Sequence, residues 1–350
     1  MEIEQCIWGF SPNEEAVVLY TLRNASGAEL QLTNLGAAIV SVRVPDREGH
    51  MADVALGYRD FMSYKGDSAA MGKSVGRSAN RIGRGQISID GQTYQLSRNK
   101  GRNHLHGGAE GFADRFWEGR VEGNRVVFSL QSPDGDQGYP GNLTAEVAYF
   151  WDDDCSLEIT YAAETDAPTI VNLTNHIYFN LAGESSGNIH GHLLRLNASH
   201  FLPTDSEHIP DGRLLPVEGT PMDFRQEKPI GRDINQDYIY LKQAGGYDQC
   251  WAVDGWKKNI LSEVGVLTDP VSGRNVTILS SQPGVQIYTG NFLGGSPVGH
   301  SGRPYEDRDG VAIECQAFPD APNHPNFPST ILRPGERYIQ KIVYRFGVTK

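Results

Sequence analysis

Thr169-Ile-Val-Asn-Leu-Thr-Asn-His176-Ile-Tyr-Phe-Asn-Leu181 is the stretch from which the fold of the chain is first inferred. Its β-branched and aromatic residues predict a strand. It also carries three asparagines and a histidine, and buried polar groups are costly unless paired, so the strand is predicted to face a wet cavity. His176 is its one side chain that exchanges a proton near neutral pH. Taken alone, however, the stretch favours a structural role for His176, as a core histidine that is hydrogen-bonded to neighbouring amides.

Short strand patterns separated by turns continue along most of the 350 residues, which include 40 glycines and 19 prolines. Residues 17–32 and 146–161 each predict a hairpin, and Asp90-Gly91 suits a type I′ hairpin turn within residues 86–96. One short helical turn is predicted at residues 58–64. Many short strands with frequent turns predict a sandwich or barrel. Composition shows no break along the chain, so residues 1–350 are predicted to form one domain.

Composition also argues against several classes of protein. The formal net charge of -12 disfavours a nucleic-acid partner, since phosphates need a basic surface. No run of 18 apolar residues occurs, so no membrane span is predicted. The cysteines are scattered without a CxxC pair, which indicates neither a zinc knuckle nor a disulfide framework. The acidic N-terminus lacks a signal-peptide pattern, and a cytoplasmic location is therefore expected.

Two polar segments in the first third of the chain are candidates for binding. Gly76-Arg-Ser-Ala-Asn80-Arg81-Ile-Gly83 has glycines but lacks the Lys-Ser/Thr pair of a phosphate-binding loop. Arg81 suits an oxygen-rich ligand, although a surface salt bridge is the commoner use of an arginine. His104-Leu-His106, like His190-Gly-His192, would place two imidazoles on one face of a strand, as in a metal pair. Neither pair has a cysteine or acid nearby as a third ligand, so the sequence predicts no metal site.

Two acids in the second half of the chain lie among residues that suit a sugar. Asp248 follows Gly245-Gly-Tyr and precedes Trp251. A carboxylate accepts hydrogen bonds from hydroxyls and an aromatic ring packs on a sugar face, but a turn aspartate explains the pattern equally well. Glu314 lies in the apolar run Val311-Ala-Ile-Glu-Cys-Gln316, where an inward-facing acid needs a partner or a chemical task.

Taken together, these segments resemble the aldose 1-epimerases, also called galactose mutarotases. The resemblance rests on motifs that follow the family's order over nearly the whole chain: Gly76-Arg-Ser-Ala-Asn-Arg-Ile82, Asn103-His-Leu-His-Gly-Gly108, Asn172-Leu-Thr-Asn-His-Ile-Tyr-Phe-Asn-Leu181, Gly246-Tyr-Asp248, Gln282-Pro-Gly-Val-Gln-Ile-Tyr-Thr-Gly-Asn-Phe292, and Glu314 with Pro319-Asp-Ala-Pro-Asn323. Each motif is weak by itself, whereas the ordered set is specific. It implies an all-β fold, a large antiparallel β-sandwich of the galactose mutarotase type with few short helices. The sugar would bind in an open cleft on one sheet.

The resemblance also implies roles for single residues. Glu314 matches the family's catalytic base, His176 matches its acid, and His106 matches a histidine that assists at the sugar oxygens. Four further residues match substrate-binding positions: Asn80, Arg81, Asp248 and Gln282. Gln249 and Cys315 depart from the residues common in the family, and either departure could change which sugar fits. Neither a metal nor an organic cofactor is implied, and the partner is a free aldose bound by a monomer or homodimer.

The reaction implied by the resemblance interconverts the α and β anomers of free aldohexoses such as galactose and glucose. One base removes the proton of the C1 hydroxyl while one acid protonates the ring oxygen, and the open chain rotates about C1–C2 before it recloses. This predicts an ionised Glu314 and a protonated His176. Two alternatives stay open: a glycoside hydrolase that uses Asp248 and Glu314, and a non-catalytic sugar-binding module, which would not need the acid and base that this chain keeps.

Overall fold

The computed structural model describes residues 1–349, and over that range it is built mainly from antiparallel strands. The first fourteen strands are β1 (Glu2–Phe10), β2 (Ala16–Arg23), β3 (Glu29–Thr33), β4 (Ala38–Pro45), β5 (Met51–Asp53), β6 (Ser74–Val75), β7 (Arg81–Ile82), β8 (Gln86–Ile89), β9 (Gln92–Gln95), β10 (His104–Leu105), β11 (Glu118–Glu122), β12 (Arg125–Ser132), β13 (Leu143–Trp151) and β14 (Ser156–Thr165). The remainder are β15 (Thr169–Ile170), β16 (Thr174–Asn175), β17 (Tyr178–Phe179), β18 (Leu193–Leu196), β19 (His200–Phe201), β20 (Leu215–Pro216), β21 (Lys228–Pro229), β22 (Asp248–Ala252), β23 (Ser262–Thr268), β24 (Arg274–Ser280), β25 (Gly284–Tyr288), β26 (Val311–Gln316), β27 (Ile331–Leu332) and β28 (Tyr338–Val348).

Helical structure is sparse. Within residues 1–349 there is one short α-helix, α1 (Ile239–Ala244), and there are six 3₁₀ turns: Phe61–Tyr64, Gly83–Gly85, Phe112–Asp114, Asp136–Gly138, Ile230–Arg232 and Ala321–Asn323. The first of these turns confirms the helical turn predicted at residues 58–64. In the described part of the chain, no helix has the length and apolar character needed to cross a membrane.

The strands assemble into three larger sheets. Their strand orders are β1-β2-β3-β4-β5, then β11-β12-β13-β14-β28-β24-β23-β18-β21, and finally β17-β26-β25-β22-β19-β20. The predicted hairpins form between β2 and β3, between β8 and β9, and between β13 and β14. Asp90 and Gly91 join β8 to β9 with φ of 53° and 82°, the left-handed backbone that a type I′ turn requires.

A shared hydrophobic core holds the three sheets together. Strand β13 alternates regularly, and its inward residues Leu143, Ala145, Val147, Tyr149 and Trp151 are fully buried. They belong to one cluster that also includes residues of the five-stranded and six-stranded sheets. The hydroxyl of Tyr344 on β28 donates to the carbonyl of Ile313 on β26 at 3.0 Å, which ties two sheets across the core. The predicted all-β antiparallel sandwich is confirmed.

The stretch from Thr169 to Leu181 differs from its prediction as one strand. It is divided into β15, β16 and β17, which pair with β27, β6 and β26 in three separate sheets. Its polar side chains bond to main-chain carbonyls: the Thr174 hydroxyl donates to Cys315 O at 2.7 Å, and the Asn175 amide donates to Gly72 O at 2.8 Å. The stretch is divided because its backbone pairs with three different strands, and these side-chain bonds hold it between them.

Cross-strand register in the six-stranded sheet fixes the face on which the chemistry lies. Glu314 on β26 is paired with Gln286 on β25, which is paired with Cys250 on β22. Directly paired residues share a face, as do residues two apart along one strand, so Asp248 lies on the same face as Glu314. The opposite face of β26 presents Ile313 and Cys315 to the hydrophobic core.

Candidate active site

The centre of the site is a histidine–glutamate pair. Strand β17 lies beside β26 with Tyr178 opposite Ala312, and this pairing brings His176, two residues before Tyr178, next to Glu314. The distance from Nε2 of His176 to Oε1 of Glu314 is 3.4 Å, and the two side chains are only 6% and 2% exposed. The ring of Tyr178 lies 4.9 Å from the imidazole of His176 and covers one side of it. The pair is therefore held in a largely water-free position.

A second histidine approaches from the two-stranded sheet of β7 and β10. His106 follows β10, and its ring meets that of His176 edge to face with centroids 5.4 Å apart. The backbone N–H of Asn80 donates to Nδ1 of His106 at 3.2 Å, so the proton of the neutral ring lies on Nε2. Asn80 and His106 have φ of 60° and 51°. These left-handed conformations turn the chain at both residues, ending strand β10 and setting where the two side chains lie.

Asp248 forms a separate group two strands away from Glu314. Its Oδ1 accepts a hydrogen bond from Nε2 of Gln286 at 2.6 Å. The guanidinium of Arg81 lies 3.8 Å from Oδ2, and Nδ1 of His208 lies 4.0 Å from the same oxygen. Neighbouring strands are about 4.8 Å apart, so the Asp248 group and the Glu314–His176 pair are separated by roughly the width of one sugar ring.

Several buried polar atoms of the site have no hydrogen-bond partner among residues 1–349. They are Nδ1 of His176, Oε2 of Glu314, Oε1 of Gln286 and Nδ1 of His208. Unpaired buried polar atoms are rare in folded proteins because each costs about 1–3 kcal/mol. Glu314 and Gln286 lie on one face of the six-stranded sheet, and His176 and His208 flank that face, so the unpaired atoms indicate a site for a ligand rich in hydroxyl groups.

Burial sets the protonation of the central pair. It raises the pKa of the Glu314 carboxyl well above its usual value; the Asp248 charge adds to this and Arg81 opposes it. Burial also lowers the pKa of His176 to about 4. Both shifts favour the uncharged form of their group, so burial moves the free site towards a neutral pair in which Glu314 holds the proton. The ionised Glu314 beside a protonated His176 that the chemistry needs is therefore disfavoured by burial in the free site.

Six of the seven predicted site residues come together, and Gln282 does not. Nε2 of Gln282 donates to the hydroxyl of Tyr338 at 3.1 Å, and Gln282 lines a different cavity, beside Trp256 and Phe327. Gln286, four residues later in the same motif, lies between Glu314 and Asp248. Sequence analysis missed Gln286 because Gln282 and Gln286 are both amides of one segment, and only the strand register distinguishes them.

The two H-x-H pairs are not metal pairs in this structure. His104 is hydrogen-bonded to the Tyr139 hydroxyl at 2.5 Å and to Ser97 O at 2.6 Å. Both of its ring nitrogens are therefore occupied, and it does not form a metal pair with His106. Nε2 of His192 accepts from the backbone N–H of Leu181 at 2.9 Å. A different set, His106, His176 and Glu314, brings one donor atom from each residue within 4.8 Å of the others. This set would suit a metal ion sterically, and it coincides with the proposed acid–base groups.

Comparison with known proteins agrees with this arrangement. The family model described as aldose 1-epimerase matches residues 18–345. The chain belongs to the aldose 1-epimerase family. It is 38% identical to the galactose mutarotase of Homo sapiens, with 99% of each chain covered, and 40% identical to the aldose 1-epimerase of Escherichia coli, with 96% and 97% covered. A solved aldose epimerase homologue from C. elegans superposes with a TM-score of 0.86 at 32% identity, covering 96% of this chain and 100% of that one.

Two positions at which this aldose 1-epimerase departs from the family pattern lie behind the binding face. The side chain of Gln249 accepts from the backbone N–H of Asp248 and donates to Tyr240 O, each at 3.0 Å. Cys315 is fully buried in the hydrophobic core. Both side chains therefore support the strands that carry Asp248 and Glu314.

Proposed function

We propose that the protein is an aldose 1-epimerase that interconverts the α and β anomers of free aldohexoses such as galactose and glucose. The observation that carries this proposal is the 3.4 Å contact between Glu314 and His176. Each of the two residues keeps one buried polar atom without a partner among the described residues. A base and an acid side by side, both open to a hydroxyl-bearing ligand, are what opening of a hemiacetal ring requires.

In the proposed mechanism Glu314 is the base and His176 is the acid. The carboxylate of Glu314 removes the proton of the C1 hydroxyl, the bond between C1 and the ring oxygen breaks, and the imidazolium of His176 protonates that oxygen. Rotation about C1–C2 turns the aldehyde, and the two groups return their protons during reclosure. Each proton transfer contributes typically about 10²–10⁴-fold to the rate.

The shift of the free site towards a neutral pair fits into this cycle. After ring opening, Glu314 has gained a proton and His176 has lost one, which is the state that burial favours. A bound closed sugar therefore needs one proton to pass from Glu314 to His176 before the ring opens, and their contact permits this transfer. We infer that the sugar hydroxyls promote it, because they supply the hydrogen bonds that stabilise the charged pair.

The other site residues are proposed to bind the sugar. Arg81 and the Nε2–H of His106 would stabilise charge that develops on the sugar oxygens. Asn80 fixes His106 through its backbone N–H. Asp248 would accept hydrogen bonds from hydroxyls, and Gln286 takes the place given to Gln282 by the sequence. Accordingly, Gln286→Ala should raise KM, whereas Gln282→Ala should leave KM near the wild-type value.

Polarimetry on freshly dissolved α-D-galactose and α-D-glucose tests the proposed function. The wild-type protein should accelerate mutarotation, and Glu314→Gln and His176→Asn should each lower kcat by at least about 10²-fold. Melting temperatures of the same samples show whether the variants fold. A galactoside should release no product, which separates this function from a glycoside hydrolase. A protein that binds galactose without accelerating mutarotation would instead be a sugar-binding module.

A location and an assembly state are also proposed. The four cysteines are free thiols within the described residues, which suits the reducing cytoplasm. The net charge of -12 gives no basic surface for nucleic acid. A monomer or homodimer is proposed, and a larger assembly in sedimentation analysis would contradict it. A cytoplasmic location is proposed, and recovery of the protein outside the cytoplasm on cell fractionation would contradict it.

A further inference from the structure

The loop between β19 and β20 forms a wall over the Asp248 end of the site. Leu202, Thr204, His208 and Pro210 of this loop line the same cavity as Asn80, Arg81, Asp248 and Gln286. None of the loop residues entered the proposed mechanism. The loop therefore forms the wall of the cavity that faces the sheet residues.

Local hydrogen bonds hold this loop in a defined shape. Oδ1 of Asp205 accepts from the backbone N–H groups of Glu207 and Ile209, at 2.8 and 3.0 Å. The N–H of His208 donates to Asp205 O at 3.0 Å, and His208 has a left-handed φ of 62°. The backbone conformation of His208 is thus set by its own turn, and this turn directs the imidazole towards Asp248.

Two contacts anchor the loop to other segments of the site. Nε of Arg102 donates to Oε2 of Glu207 at 2.6 Å, which joins the loop to the turn before His106. On the other side, the His324 ring is hydrogen-bonded to Pro210 O at 3.1 Å. Because it is anchored at both sides, the loop holds its side chains at a fixed distance from the binding face.

Two polar atoms of the loop are aimed into the cavity without a partner in residues 1–349. They are Nδ1 of His208, 4.0 Å from Oδ2 of Asp248, and the hydroxyl oxygen of Thr204. A gap of 4.0 Å is too long for a hydrogen bond but leaves both atoms in reach of one shared hydroxyl. Burial and the Arg81 charge lower the pKa of His208, so its ring is neutral at pH 7 and can accept or donate.

We infer that His208 is a specificity-determining residue that, together with Asp248, hydrogen-bonds a sugar hydroxyl remote from the anomeric carbon. The inference rests on the proposed function, since it assigns a substrate contact within that site. Asp248 lies two strands from Glu314, where C1 would be bound, so the hydroxyl read by His208 belongs to the far side of the ring. The ligand class is a neutral pyranose, and the contact discriminates between aldoses that differ at this hydroxyl.

The test compares His208→Asn and His208→Gln in mutarotation assays on galactose, glucose and their monodeoxy derivatives. Asparagine tolerates the left-handed backbone and is too short to reach the shared hydroxyl, so KM should rise about three- to tenfold, the value of one hydrogen bond. The kcat should change less than twofold, as expected for uniform binding. Glutamine is long enough to restore part of the loss. His50→Asn, at a side chain 74% exposed in the turn before β5, is the matched control and should behave as wild type.

One deoxy sugar should be the exception: the derivative that lacks the shared hydroxyl should give the wild type and His208→Asn equal KM values. A KM rise of equal size for every deoxy sugar would overturn the inference, because it indicates an indirect effect through Asp248. Unchanged KM values in both folded variants would also overturn the inference about His208. In that case the proposed function still holds as long as the wild-type protein accelerates mutarotation. If the wild type accelerates no aldose, the proposed function fails and the inference fails with it.

Discussion

Burial shifts the Glu314–His176 pair towards its uncharged state, because it raises the pKa of Glu314 and lowers that of His176. Below about pH 4 His176 gains a second proton and the pair has no base; above the raised pKa of Glu314 the pair has no proton to give. The rate of mutarotation is therefore expected to be bell-shaped in pH. In His176→Asn the alkaline limb should vanish, since only an ionised Glu314 is then needed.

Glu314→Gln gives the complementary profile and checks this assignment. His176 then acts alone as an acid, so the residual rate should be highest at low pH and fall as pH rises through about 4. Initial rates by polarimetry between pH 3 and pH 10 give both profiles, after subtraction of the uncatalysed reaction. If one limb of the wild-type pH–rate profile persists unchanged in both variants, a group other than Glu314 or His176 causes that limb.

The raised pKa of Glu314 also predicts a stability effect. In the unfolded chain this carboxyl ionises near its ordinary pKa, whereas the folded site keeps it protonated to higher pH. At a pH above the ordinary pKa, Glu314 must therefore take up a proton when the chain folds. The free-energy cost of this proton uptake is absent at low pH and grows as pH rises. Each pH unit between the two pKa values corresponds to about 1.4 kcal/mol.

Replacing Glu314 with glutamine removes this cost while retaining the shape. The melting temperature of Glu314→Gln should accordingly exceed that of the wild type, by a margin that widens from pH 5 to pH 8. Calorimetry at several pH values measures this margin. A margin that stays constant, or one that becomes smaller from pH 5 to pH 8, contradicts the assignment of Glu314 as a buried neutral acid.

At the scale of elements, the segment from Gly76 to Gly83 combines a structural arginine with a binding one. Arg77 is 1% exposed, and its guanidinium donates to Pro140 O and Gly141 O at 3.0 Å and to the Ser132 hydroxyl at 2.6 Å. Arg81 instead lies beside Asp248 in the site. Arg77 therefore anchors the surrounding loops, whereas Arg81 is proposed to bind the ligand.

Loss of Arg77 should destabilise the fold strongly. Arg77→Met fills a similar volume but leaves several buried acceptors without a donor, at about 1–3 kcal/mol for each. The free energy of unfolding should fall by at least about 3 kcal/mol, measured by denaturant titration. Arg43→Met, at an exposed arginine of β4, is the control and should change it by less than about 0.5 kcal/mol. Similar losses in both variants would contradict the role of Arg77 as a buried anchor.

At the scale of the whole molecule, the sandwich brings His106, His176 and Glu314 together from three distant parts of the chain. Their donor atoms lie within 4.8 Å of one another, and the proposed chemistry requires these atoms to be free for the sugar. Activity is therefore expected to survive exhaustive chelation, and added Zn²⁺ is expected to inhibit by occupying the donors. Mutarotation rates before and after dialysis against a chelator, with elemental analysis, check this. A stoichiometric metal whose removal abolishes activity would replace the acid–base proposal.

Local sequence patterns were sufficient for the all-β class, the hairpins at residues 86–96 and 146–161, and the short turn at residues 58–64. These features depend on neighbours along the chain: alternation sets the faces of a strand, and Asp-Gly sets the turn. The ordered motifs also identified the family, and the acid–base roles of Glu314 and His176 stay a prediction. One domain over residues 1–350 stays a prediction.

Tertiary structure decided the rest, because the remaining features depend on contacts between distant segments. The register of β26, β25 and β22 placed Gln286 rather than Gln282 beside Asp248. Pairing with three distant strands divides the stretch from Thr169 to Leu181 into β15, β16 and β17. Desolvation shifts the pKa values of Glu314 and His176 towards their uncharged forms, and it depends on everything packed around the pair. Burial and strand register are properties of the assembled sheets, and no local pattern of residues specifies them.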